Sequence, residues 1–209
     1  MRYAPGMIGK HREVRPPATQ PTDERTTEIS TTRNLWTLVR IGGSTPASFI
    51  CPESNDEKND EENPQDYWDF RRDSEVSYGY QVPYGKAGKP SAEGDRSTVL
   101  AADKGPYGAA LEAGKLNPGV PRPSLKAPAK DWQSWNSPNH MGEGQNVLYA
   151  DGRVDWANTP LAGVKSDNIY TRWWDPIGGT DADPTPRIHG TPPTGIETPF
   201  ADTDTLIYP

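Results

Sequence analysis

A proline or glycine interrupts this chain at about every fifth position, with 23 prolines and 20 glycines among 209 residues, where average usage is roughly one in eight. Proline locks φ and removes a hydrogen-bond donor, and glycine weakens the interior of helix and strand alike, so long regular elements are excluded. What remains open is a fold of short strands and short helical turns joined by loops. Aliphatic material is also scarce, because Leu, Ile, Val and Phe together make up 30 of the 209 residues. Seven Trp and nine Tyr must therefore supply much of any core, each ring burying roughly 150–250 Å².

Charge and cysteine usage narrow the partners. A net charge of −7 excludes non-specific nucleic-acid binding, which needs clustered Lys and Arg to displace counterions from phosphates. No window approaches the roughly 18 apolar residues of a membrane span, and Met1-Arg2-Tyr3-Ala4-Pro5-Gly6 is not followed by an apolar run. Cys51 is the single cysteine, so no disulfide can form within these residues, and its place after Phe49-Ile50 predicts a buried, inert thiol.

Residues 1–30 are polar and dotted with proline and read as a lead-in; residues 31–174 read as a globular head; residues 175–209, rich in Pro, Thr and Asp, read as an extended tail. Asn34 to Ile41 predicts a short helix with Leu35, Leu38, Val39 and Ile41 on one face, stopped by Gly42-Gly43. Thr45-Pro46 repeats a helix start ahead of a buried, strand-like Phe49-Ile50-Cys51. The acidic run Glu53 to Glu62 reads as a solvated loop, since its acids lack the alternation and fixed glycine of an EF-hand. Val76 to Val82 alternates with period two and predicts a strand in which Gly79 admits a close neighbour. Ser97 to Ala102 and Asn168 to Thr171 are further strand candidates. The strongest local signal is a hairpin: Asn146 to Ala150 and Arg153 to Trp156 flank Asp151-Gly152, which suits a type I′ turn and places Val154 and Trp156 in the core.

The stretch from Asn136 to Trp156 resembles the C-terminal signature of bacterial prepilin-like proteins, a His, nine residues, then Asp-Gly. Here ten residues separate His140 from Asp151. The motif residues are His140, Gly142, Glu143, Gly144, Asn146, Asp151 and Gly152. Phe49 to Pro52, Val76 to Gln81, Val99 to Lys104, Asp167 to Thr171 and Asp204 to Pro209 look similar to other blocks of the family, in the same order. The resemblance implies an α+β fold: a small antiparallel sheet of pseudopilin type with a short helix, long loops and Pro-rich tails. It also implies a non-enzymatic structural or accessory subunit of a type II secretion-like or type IV pilus-like apparatus. Its partners would be other pilin-like subunits, at the cell envelope or outside the cell. Family members meet the membrane through an N-terminal apolar helix that these residues do not include, so the expectation is a fragment or a variant without it.

Chemistry-bearing candidates are few. His140 and Asp151, with Glu143 between them, suggest a metal or acid–base site. An extended Asn146–Ala150 spans about 15 Å, however, which sets loop and turn at opposite ends of a strand. Asp151 then reads as a turn former and His140 as a backbone-bonding loop residue. No Gly-x-Ser-x-Gly elbow and no phosphate loop occurs. The i, i+2 acids Asp181, Asp183, Asp202 and Asp204 are the residues that would hold calcium, and no other cofactor is expected. The alternative function is a carbohydrate-binding module stacking sugars on Trp132, Trp135, Trp173 and Trp174. Trp173-Trp174 is its best pair, because adjacent strand residues face opposite ways.

Overall fold

The computed structural model describes the backbone of residues 2–3, 28–83, 94–107, 123–174, 182–192 and 198–208. Two short strands near the N-terminus, β1 (Arg2–Tyr3) and β2 (Glu28–Ile29), pair in parallel. Helix α1 (Arg33–Arg40) follows. The sheet that organises the molecule comprises β3 (Tyr78–Gln81), β4 (Val99–Asp103), β5 (Gln145–Tyr149), β6 (Val154–Ala157) and β7 (Ile207–Tyr208), with α2 (Thr185–His189) preceding β7. Its order is β6-β5-β4-β3-β7, antiparallel throughout. Short strands and few helices, the α+β class, are what the proline and glycine density permits.

β5 shows the period of two that a half-covered strand requires: Gln145, Val147 and Tyr149 are buried, Asn146 and Leu148 less so. Val99, Ala102, Val147, Tyr149, Ile169, Tyr170 and Ile207 form one core cluster. A second, aromatic cluster joins Trp36, Val39, Phe49, Phe70 and Val76, with Trp36 and Phe49 each meeting Phe70 edge-on. Trp132 and Trp135 pack with Ile188 in a third. The indoles thus fill the volume that so few aliphatic side chains leave open.

Gly79 is where β7 enters. A Cβ there would lie 2.6 Å from the carbonyl carbon and oxygen of Tyr208, so only a residue without one lets the terminal strand pack alongside β3.

Several local expectations change. The buried face of α1 carries Trp36 and Val39, while Leu38 and Ile41 are exposed, because α1 turns its indole onto Phe70. Pro46–Phe49 is a 3₁₀ turn that leads into an irregular Ile50-Cys51, not a strand. The hairpin loop is not type I′: Gly152 has φ +85° whereas Asp151 is not left-handed. Gly152 N donates to Tyr149 O and Tyr149 N to Arg153 O, the pattern of a three-residue loop in which glycine alone carries the positive φ. β6 is an edge strand, and Val154 and Trp156 on it are exposed rather than core. Asn168 to Thr171 is a buried turn closed by Thr171 N on Asn168 O. The segment read as an extended tail supplies α2 and β7, and buries Leu206, Ile207 and Tyr208. The acidic loop is tied down rather than merely solvated: Asp56 accepts from Lys104 Nζ and Ser77 Oγ, and Asp60 from Arg71.

Candidate functional site

The loop that enters β5 is held in an unusual backbone shape. Across Asn139–Gly142 the backbone makes a kinked turn in which His140 (φ 53°), Met141 (φ 56°) and Gly142 (φ 78°) are all left-handed. Each non-glycine residue in that region costs about 1–2 kcal/mol. Three amides hold the strain: Asn136 Nδ2 donates to Gly142 O at 2.8 Å, Gln133 Nε2 to Met141 O at 3.2 Å, and Asn139 Nδ2 to Ser77 O at 2.9 Å. The glycines fit the same demand. A Cβ on Gly142 would meet Gln133 O at 2.6 Å, and one on Gly144 would meet Ala157 O at 2.5 Å.

The strained turn aims the His140 ring at the end of β4. His140 Nε2 lies 3.4 Å from Asp103 Oδ2 and 3.4 Å from Cys51 Sγ. These three ligand-type atoms lie within 4.8 Å of one another. Cys51 and Asp103 are buried and His140 is partly so, with Trp156 set edge-on to its ring at a centroid distance of 5.1 Å.

Asp103 is oriented from both sides. Oδ1 accepts from Asn139 Nδ2 at 3.0 Å, and Oδ2 from Asn146 N at 2.6 Å and Asn146 Nδ2 at 3.3 Å. Asn146 Nδ2 is also 3.3 Å from His140 Nε2. Among the described residues no Lys or Arg pairs with Asp103, since the neighbouring Lys104 is engaged by Asp56. Burial pushes the Cys51 thiol up, and the charge of Asp103 adds to the rise. Tyr78 is raised in the same way, by burial first and then by the charges of Cys51 and Asp103.

The geometry discriminates between chemistries. A Cys-His-Asp relay needs the thiol on one ring nitrogen and the carboxylate on the other, so that the proton leaves one side while the second side is held. Here both approach Nε2. A raised thiol pKa likewise opposes a standing thiolate nucleophile. Convergence of S, N and O on one point is instead what a ligand set looks like.

The other sequence candidates are placed elsewhere. Asp151 stands at the far end of β5, accepting Arg153 N and Nε, each at 3.2 Å, and does not meet His140. Glu143 is exposed and outside the group, its backbone N–H closing the turn on His140 O. Asp181 lies outside the described residues. Asp183 accepts Thr185 N at 3.1 Å where α2 begins, Asp202 is exposed, and Asp204 is buried near Asp167. Among the described residues these acids do not gather into a shared ligand set. Trp132, Trp135 and Trp173 are buried, so of the four rings considered for sugar stacking only Trp174 is open.

Cys51 and Asp103 were not legible as site residues, since 89 positions separate Cys51 from His140 and neither belongs to a spaced motif. The available signal was that each sits in a block resembling the prepilin-like family. No protein-family model, curated protein or solved structure matches this chain.

Proposed function

We propose that this chain is the head of a pseudopilin-like protein, a non-enzymatic structural or accessory subunit of a type II secretion-like or type IV pilus-like apparatus at the cell envelope. The observation that carries the reading is the way the family-like blocks meet. Cys51 meets His140, Asn139 bonds Ser77 O and Asp103, and Tyr170 Oη bonds Asp103 O at 2.8 Å. Ile207 N donates to Ile169 O, and Gln81 bonds Asp204 O and Leu206 N. Blocks scattered from residue 49 to residue 208 therefore contribute to one sheet-centred unit, which is how a single recurring head would be built. The approach of both Cys51 and Asp103 to one histidine nitrogen argues against a Cys-His-Asp relay.

The test is the mature protein in its source cells, taken by mass spectrometry and by in-cell cross-linking. The expected result is an N-methylated residue opening an apolar helix upstream of these residues, with cross-links to pilin-like subunits. A mature protein that opens at Met1 overturns the reading.

A further inference from the structure

We infer that Cys51, Asp103 and His140 form a binding site for a zinc-like divalent ion. The inference does not depend on the pseudopilin reading. Zinc bonds thiolate at about 2.3 Å, imidazole nitrogen at about 2.0–2.1 Å and carboxylate oxygen at about 2.0–2.2 Å. Tetrahedral angles then set sulfur and nitrogen about 3.6 Å apart, and nitrogen and oxygen about 3.4 Å apart. The observed separations are 3.4 Å for Cys51 Sγ to His140 Nε2 and 3.4 Å for His140 Nε2 to Asp103 Oδ2. Two of the three separations thus match ligand spacing, and all three atoms lie within 4.8 Å of one another.

Three further features agree. A buried carboxylate without a Lys or Arg partner among the described residues is costly, and a cation at that point offsets the cost. The carboxylate already has the outer contacts that orient a ligand, from Asn139 Nδ2 on one oxygen and Asn146 N on the other. The strain at His140 and Met141 has a use, because it delivers Nε2 to the other two ligands. Sulfur in the set selects against calcium and magnesium, which take oxygen ligands. Three protein ligands leave a fourth position for solvent. On binding, the Cys51 thiol loses its proton to solvent and the sulfur lone pair forms the bond to the ion.

Cobalt titration of the reduced 209-residue chain tests the site. Because Cys51 is the single cysteine, any thiolate-to-cobalt charge-transfer band belongs to it. The expected result is one cobalt per chain with that band, abolished by zinc and missing in Cys51→Ser. Affinity should fall more than about 100-fold in His140→Gln, and about 10–100-fold in Asn139→Ala, which removes the outer contact to Asp103 together with the bond to Ser77 O that helps hold the turn. Alkylation of Cys51 by iodoacetamide in the unaltered chain provides a readout that needs no variant: zinc should slow it at least about tenfold, as expected for a metal-held thiolate. A folded wild-type chain without the band, alkylation unaffected by zinc, or a folded His140→Gln variant that binds cobalt as tightly as wild type overturns the inference.

Discussion

Replacing Asp204 by Asn should make this protein more stable in alkaline solution than it is as found in nature. Asp204 is 1% exposed; its Oδ2 accepts Phe200 N, while its Oδ1 has no hydrogen-bond partner. Nearby Asp167 is fully buried, accepting Trp173 Nε1 and, at 2.7 Å, Thr205 N. Burial pushes Asp204 up from 3.8 to about 7. Asp167 is driven well above the usual carboxylate range by burial and then by the charge of Asp204. A raised carboxyl pKa stabilises the fold fully below about pH 4, where folded and unfolded chains both hold the proton. Between pH 4 and 7 the unfolded chain releases it and the folded chain does not, so stability falls as pH rises. The two values for Asp204 lie about three pH units apart, worth up to ~4 kcal/mol by pH 8 at about 1.36 kcal/mol per unit. Asn keeps a neutral side chain there and still accepts from Phe200 N. Urea unfolding followed by tryptophan fluorescence at pH 3 and pH 8 should show Asp204→Asn close to wild type at the lower pH and more stable by several kcal/mol at the higher one. A variant whose advantage is the same at both pH values, or which has none at pH 8, refutes the reasoning.

Gly79→Ala places a methyl group 2.6 Å from the Tyr208 backbone and should displace β7, lowering stability by about 1–3 kcal/mol in thermal unfolding. Gly152→Ala meets no neighbour within 4 Å but must adopt φ +85°, so its loss should be about 1–2 kcal/mol with the hairpin retained by NMR. Iodide should reach Trp68, Trp156 and Trp174 and leave Trp36, Trp132, Trp135 and Trp173 unquenched in the folded state; complete quenching would refute the indole core. Burial raises Asp69 to about 6, so Asp69→Asn should lose the part of the stability decline that wild type shows between about pH 4 and 6.

The elements that could be read from the residues were those set by local chemistry. Asp151-Gly152 between two apolar runs is enough to make a hairpin, and Gly42-Gly43 enough to stop a helix. Gly79 announced a close approach, though not that Tyr208 would make it. The errors share a cause. Whether Trp156 is core depends on whether a further strand covers β6, and α1 buries Trp36 because Phe70 is there to receive it. The C-terminal residues look like a tail by composition, yet 125 positions separate Leu206 from the Gln81 side chain that accepts its N–H. Pairing at that distance leaves no local trace.

The candidate site divides along the same line. Composition excluded long regular elements in a chain so dense in proline and glycine and pointed to an indole-rich core in one so poor in aliphatics, while the α+β class was what the resemblance implied. His140 was conspicuous as a lone histidine in a glycine-rich loop. Its partners were decided by the sheet: β4 ends at Asp103 where β5 begins, and the loop after the Pro46–Phe49 turn brings Cys51 to the same point. Hydrogen bonding and packing between residues 36 and 89 positions apart made that point, and no spacing rule reaches so far along a chain.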